Sequence, residues 1–441
     1  MPEAWEVLTK IKKPQDEQKD VRITIDRDLQ AFLANQLEGK KGAIVVINPQ
    51  NGDLLAMYSN PSFNINEAQS LDSYLRLEGN KRDKPLLNRA TREFYAPGST
   101  FKTFTMISAF RSGKQNAVFA SYPEGFKPTR GSRPIVDATQ KLGPDGSVGG
   151  VCDGGCQEKD LTFAYKVSSN QYFAQLAIEL GRDRLRETAL LVGIAPVDSA
   201  DEALLQRFFP AVWNTSNPNI AGALAPQQST IVTGKDISLY DLGIEGMGQG
   251  YAGQMTPFQM ALIASIAGNM DGKLMKPRIE ADQPPEAFSQ VLSAQQAAAV
   301  RGIMSTVTEE PGGTGTVISA KLAGTGIKTG GKTGTAEKLA PEYDSEGKLK
   351  TIKKRRKNAA GEMEDYFVPQ MYERTDSWFI SIAPLERPQL AIAVVVEGGG
   401  FGARTAAPIA ANVILKARDL GLLGDQYKQK TPARPPSKKK K

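Results

Sequence analysis

The sequence predicts an α/β fold: an antiparallel sheet built from both chain ends and flanked by helices, with a mostly α-helical insertion between them. Two observations carry this. β-branched runs bounded by turn residues lie near both ends of the 441-residue chain, and helical periodicity fills the middle. No internal repeat of fixed period suggests a solenoid or propeller instead.

At the N-terminal end, Ala43–Ile47 and Leu54–Tyr58 flank the turn cluster Asn48–Asp53, the pattern of an antiparallel hairpin. Near the other end, Ser377–Ile382 and Leu390–Val396 read as two more strands, joined through Pro384 to Pro388. In between, Thr256 and Pro257 make a cap and first-turn pair, and Phe258, Ala261, Leu262 and Ile266 follow at the spacing of one helix face. Ser293–Val307 is a second helix, and Thr405–Leu420 closes the body with Pro408 in its first turn. Residues 1–21 read as a linker or the remnant of an upstream region, and 426–441 as a basic disordered tail. The body, 22–425, divides into an α/β part (22–95 and 318–425) and a mostly helical part (96–317).

Composition excludes several classes. With 40% hydrophobic and 23% charged residues the chain folds around a core and is not disordered. Its net charge of +7 is a tail effect, because Lys428, Lys430, Arg434 and Lys438 to Lys441 supply seven cations and no acid, so no nucleic-acid partner is expected. There are no histidines, which rules out Ser-His-Asp and Cys-His catalysis and any His-ligated metal. A covalent catalyst here must take its base from Lys, Glu or Tyr; no metal or cofactor is expected. Cys152 and Cys156 sit in a Gly-rich turn, where a small disulfide and free thiols are both open readings. No apolar run approaches the roughly 20 residues of a spanning helix, and Met1 to Trp5 lacks a signal peptide's regions. The chain is expected to be soluble, which leaves room for a membrane anchor in a longer parent.

Three short segments carry chemistry. In Tyr95-Ala-Pro-Gly-Ser-Thr-Phe-Lys102, Pro97 and Gly98 break the preceding structure and the apolar run to Phe110 predicts a buried helix. Ser99 then sits at its N-terminus, where backbone N–H groups and the helix dipole favour an oxyanion, and Lys102, one turn on, is a desolvated base. Alone the Ser-x-x-Lys pattern is weak, since Ser345–Lys348 and Ser437–Lys440 match it too. In Ser168-Ser-Asn170, a turn between helices, the Ser168 hydroxyl can relay a proton and the Asn170 amide can hold a substrate carbonyl; a helix-capping turn is the plainer account. In Gly331-Lys-Thr-Gly-Thr-Ala-Glu337, an edge strand, Gly334 removes side-chain bulk so that a substrate backbone can approach. Lys332 supplies charge, the hydroxyls of Thr333 and Thr335 suit a carboxylate, and an N–H of this strand can complete an oxyanion hole with that of Ser99. Lys328-Thr-Gly330 repeats the tripeptide, with its side chain expected to face the same way as Lys332, and is ranked a bystander.

Taken in this order and at these separations, the three segments resemble the active-site motifs of penicillin-binding transpeptidases. Arg22–Gln30, Leu87–Thr91, Gly248–Gly250 with Met255–Ala261, and Val396–Gly400 also resemble family segments, so the resemblance covers about 22–422. It is closest to class B, the monofunctional enzymes, with no room upstream of Arg22 for the glycosyltransferase domain of class A. The resemblance implies the penicillin-binding/serine β-lactamase-like fold and a serine acyltransferase. Such an enzyme acts on peptidoglycan stem peptides ending in D-Ala-D-Ala, cross-links them, and is acylated by β-lactams. It implies Ser99 as nucleophile and Lys102 as base, Ser168 and Lys332 as a proton relay, and Asn170 as the group that orients substrate. Thr333 and Thr335 would hold the carboxylate, with Ser99 and Thr335 N–H groups as the oxyanion hole. It further implies an extracytoplasmic site, anchored by a segment absent from this chain, and a partner membrane glycosyltransferase of the shape, elongation, division and sporulation family. A β-lactamase or β-lactam sensor, or a catalytically idle scaffold, is the alternative. The charged stretch Lys338–Thr375, with Lys353–Lys357 inside it, departs from the pattern; it is expected to be a solvated loop, or a contact for anionic wall polymer or a partner protein.

Overall fold

The computed structural model describes residues 21–66, 68, 70–197, 226–249, 254–357 and 362–428. The expected linker, apart from Val21, and the basic tail beyond Lys428 lie outside the described residues.

β1 (Gly42–Ile47) and β2 (Leu54–Asn60) form the expected hairpin. The remaining long strands come late in the chain: β3 (Gly330–Pro341), β4 (Thr351–Lys357), β5 (Met363–Pro369), β6 (Met371–Ala383) and β7 (Leu390–Val396). They complete a five-stranded antiparallel sheet in the order β3-β6-β7-β1-β2, so that both chain ends meet in one layer and β3 forms an edge. β1 and β7 are buried at every residue, because helices cover both faces of the sheet. That is why these strands read as unbroken apolar runs rather than as alternating ones.

In chain order the helices are α1 (Arg27–Gln36), α2 (Leu71–Gly79), α3 (Lys102–Arg111), α4 (Leu161–Val167), α5 (Asn170–Leu191), α6 (Leu239–Gly246), α7 (Pro257–Gly268), α8 (Ala294–Glu309), α9 (Val317–Lys321) and α10 (Ala406–Asp419). On one face of the sheet, α1 and α10 pack Leu29, Leu33, Ile409 and Val413 against Ile44, Val46 and Val394. On the other, α7 packs against β1, β6 and β7 and joins the sheet to the helical lobe. Each buried Leu, Ile or Val contributes about 1.5–3 kcal/mol relative to exposure. Thr256 caps α7, its hydroxyl accepting the Gln259 N–H, and Pro257 follows. Every residue of α7 is buried, not one face alone, because the sheet lies on one side and α3 and α8 on the other.

The stretch Lys338–Thr375 corrects the loop expectation. β3 and β6 run on past the body of the sheet, and β4 and β5 pair as an outlying ribbon. Lys353 meets Asp365 at 2.6 Å and Arg356 meets Glu364 at 2.6 Å across it, so part of the basic run is answered by acids on the next strand. Such exposed pairs stabilise little. Cys152 and Cys156, left open by the sequence, are joined in a disulfide. Among the described residues no helix is long and apolar enough to cross a membrane.

Candidate active site

The first segment enters the body as a 3-10 turn, Gly98–Phe101, and becomes α-helical only at Lys102. Ser99 therefore lies in the tight turn before α3, not in the first α-helical turn itself. Two glycines from different segments make this possible. Gly98 has φ of 54°, and a Cβ there would lie 2.6 Å from the Thr335 carbonyl oxygen. A Cβ on Gly334 would lie 2.8 Å from Thr100 Cγ2 and 2.9 Å from Trp378 Cβ. The turn carrying Ser99 thus rests directly on the backbone of β3. Just upstream, the Tyr95 hydroxyl donates to Glu397 Oε1 at 3.0 Å, and Arg89 and Arg374 bind the same carboxylate, which ties the turn to the end of β7.

From Lys102 to Phe110, α3 is buried throughout. Lys102 Nζ donates to the Ser168 carbonyl (2.6 Å), to Asn170 Oδ1 (2.7 Å) and to Ser168 Oγ (3.3 Å). Lys332 Nζ donates to Ser168 Oγ at 2.8 Å. The rings of Phe173 and Tyr165 lie 5.7 Å and 5.6 Å from the two amines. Both lysines are fully buried. Burial pushes Lys102 down to about 8, against the opposing pull of Asp137 and Asp153. Burial, then repulsion from Lys102, pushes Lys332 well below the ordinary lysine value. Burial thus favours loss of a proton from each amine, and the Lys102 amine becomes neutral, with a lone pair able to take a proton, as pH rises through about 8.

The second segment is a reversal between helices. α4 ends at Ser168, which adopts the left-handed conformation (φ 64°, ψ 35°), rare for a residue with a Cβ. That conformation sets its hydroxyl between the two lysines. Ser169 then caps α5, so the plainer helix-capping account is true of this residue. Asn170 opens α5 with its amide divided: Oδ1 accepts from Lys102, and Nδ2 donates to the Val136 carbonyl at 3.0 Å.

The third segment lies on the sheet edge. Thr333 Oγ1 shares a hydrogen bond with Thr314 Oγ1 at 2.7 Å. The Thr335 carbonyl accepts from Gln249 Nε2 at 3.2 Å, so it points away from β6; in a β-strand the N–H of the same residue points with it, into the cleft beside Ser99. Lys328 is a correction. The strand begins only at Gly330, so the two lysines do not share a face: Lys328 is exposed and Lys332 is buried. A cavity of about 1210 Å³ opens alongside, lined by Ala96, Tyr240, Ile244, Gln249, Glu337 and Leu339 among others.

The chain matches the model of the penicillin binding protein transpeptidase domain over residues 42–202 and 219–415. It belongs to that family. The peptidoglycan D,D-transpeptidase MrdA of Haemophilus influenzae is 27% identical over 90% of this chain and 56% of its own length. The peptidoglycan D,D-transpeptidase PbpA of Mycolicibacterium smegmatis is 27% identical over 86% of this chain and 67% of its own length. The chain thus spans little more than half of the first relative. Among solved structures, the ceftriaxone acyl-enzyme complex of penicillin-binding protein A from Mycobacterium tuberculosis is 25% identical, with a TM-score of 0.64 over 90% of this chain and 79% of that one.

In this penicillin-binding protein domain Lys102, Ser168, Asn170 and Lys332 are joined by hydrogen bonds where α3, the α4–α5 reversal and β3 meet, and the turn carrying Ser99 is packed on the Gly334–Thr335 segment of β3 through Gly98 and Thr100. Asp137, Asp153, Thr314 and Gln249 also face this region and carry no assigned role in the sequence. The two aspartates stand in no recognisable spacing, whereas the Gly312-Gly-Thr-Gly315 run around Thr314 was a usable sign of close backbone approach.

Proposed function

We propose that this domain is a peptidoglycan D,D-transpeptidase that works through a Ser99 acyl-enzyme. The observation that carries the reading is the convergence of two buried lysines on the Ser168 hydroxyl beside the Ser99 turn. Ser99 Oγ attacks the carbonyl carbon of the penultimate D-Ala and its proton passes to neutral Lys102 Nζ. The oxyanion is held by the N–H groups of Ser99 and Thr335. As the tetrahedral adduct collapses, the peptide C–N bond breaks, and the proton taken up by Lys102 is relayed through Ser168 and Lys332 to the departing D-Ala amine, which leaves Lys102 neutral again. An amine of a neighbouring stem then attacks the ester, forms the cross-link and returns the proton to Ser99. Asn170 orients the donor peptide. Thr333 and Thr335 hold its carboxylate, and Gly334 leaves room for its backbone.

Residues 22–425 make one transpeptidase domain, with 96–317 as its mostly helical part. β-Lactams acylate the same serine. The site works outside the cytoplasmic membrane, held there by a segment beyond this chain, and beside a membrane glycosyltransferase of the shape, elongation, division and sporulation family. The test is the fate of bound penicillin together with D-Ala release from a D-Ala-D-Ala peptide. Long-lived labelling with D-Ala release supports the reading; rapid nitrocefin turnover marks a β-lactamase, and a folded protein that never labels marks an idle scaffold.

A further inference from the structure

Beneath the α4–α5 reversal lie two carboxylates that the reaction above does not use. Asp137 and Asp153 are both buried, at 1% and 8% exposure. Asp153 stands in the short loop closed by the Cys152–Cys156 disulfide. Its carboxylate accepts the N–H of Ala138 (3.1 Å), the N–H of Thr139 (3.2 Å) and the Thr139 hydroxyl (2.7 Å). Its own N–H donates to Asp137 Oδ2 at 3.1 Å. Asp137 Oδ1 accepts the Gln171 N–H (3.0 Å) and the Ser169 hydroxyl (3.1 Å), gripping the residues on either side of Asn170. The neighbouring Val136 carbonyl takes the Asn170 amide N–H (3.0 Å), and Asn170 Oδ1 takes the Lys102 amine (2.7 Å). Hydrogen bonds joined by the covalent backbone at 136–137 and 169–171 therefore connect the disulfide loop to the lysine amine. Burying two carboxylates is costly unless they are fully partnered, and here their partners are the segments that place Asn170.

We propose that Asp137 is a positioning residue for the general base: it holds Ser169 and Gln171 so that Asn170 fixes the Lys102 amine, and the Cys152–Cys156 loop holds Asp137 through Asp153. The inference rests on the reading of Lys102 as base. The charged and titratable groups around that amine are Lys332 from β3, Asp137 and Asp153 from the loops below, Lys159, which acts on Asp137, and Tyr165, bonded to Thr103. The two aspartates favour protonated Lys102, so removing either charge lets the amine lose its proton at lower pH.

The test is the pH profile of penicillin acylation measured as a rate constant on the labelled fraction, for wild type, Asp137→Asn and Asp153→Asn. If one variant does not fold, the other still decides. The expected result is a plateau rate constant about tenfold or more below wild type and a midpoint displaced to lower pH. A variant that labels in smaller yield, with rate constant within about twofold and midpoint unmoved, has lost only scaffolding and overturns the positioning role. A wild type that never acylates overturns the base reading along with it; a wild type that acylates beside unchanged variants overturns the positioning role alone.

Discussion

Lys102 and Lys332 direct their amines at one oxygen: Ser168 Oγ lies 3.3 Å from the first and 2.8 Å from the second. Two ammonium groups sharing one buried hydroxyl repel each other, so the arrangement favours loss of a proton from the pair. Burial lowers the Lys102 amine, and burial followed by repulsion from Lys102 lowers Lys332, in a chain without any imidazole.

A pH dependence follows. Lys102 titrates at about 8 because of burial, and only its neutral form can accept the Ser99 proton. Acylation by a fluorescent penicillin should therefore rise with pH through about 8 and level off above it. A rate constant that stays flat across that range contradicts the assignment.

Replacing the proposed base, Lys102, separates chemistry from folding. Lys102→Ala should lower the acylation rate by about 10²–10⁴-fold. The protein should still fold, since losing the buried amine removes its desolvation cost and so offsets the partners lost by the Ser168 carbonyl and Asn170 Oδ1. Circular dichroism checks the fold and labelling checks the rate; acylation at near wild-type speed would refute the role.

Ser168 offers a sharper separation, because its backbone is left-handed. Glycine adopts that conformation freely and alanine does not, so Ser168→Gly should melt higher than Ser168→Ala by about 1 kcal/mol of stability. Both lack the hydroxyl, so both should acylate slowly, by a similar factor. If only the less stable variant were slow, the hydroxyl would be a structural feature rather than a relay.

The contact between the Ser99 turn and β3 predicts the cost of a single methyl group. Gly334→Ala places a carbon 2.8 Å from Thr100 Cγ2 and 2.9 Å from Trp378 Cβ. Overpacking of this kind costs about 1–3 kcal/mol, and the turn carrying Ser99 must shift to relieve it. Thermal melting should register the loss and labelling a slower acylation. A variant as stable as wild type would show that the turn is not seated as described.

Much of this was legible before the structure, for identifiable reasons. β1 and β7 announce themselves because a central strand covered on both faces must be apolar along its whole length. Ser99 and Lys102 are readable because their separation is local, and the α7 cap because Thr256 and Pro257 are adjacent. The β4–β5 ribbon was hidden because it is charged and exposed, with no apolar alternation to reveal pairing; its order lies in acids eight or more residues from the bases they meet. Asp137 was hidden for the opposite reason. Its partners are backbone groups and a hydroxyl at positions 153, 169 and 171, and only the closed loops bring these together.

The most direct test of the central claim is intact-protein mass measurement after incubation with penicillin, followed by peptide mapping. One penicillin mass should be added per chain, carried on Ser99, and none to Ser99→Ala. A folded wild-type protein that gains no mass, or gains it on another residue, would contradict it.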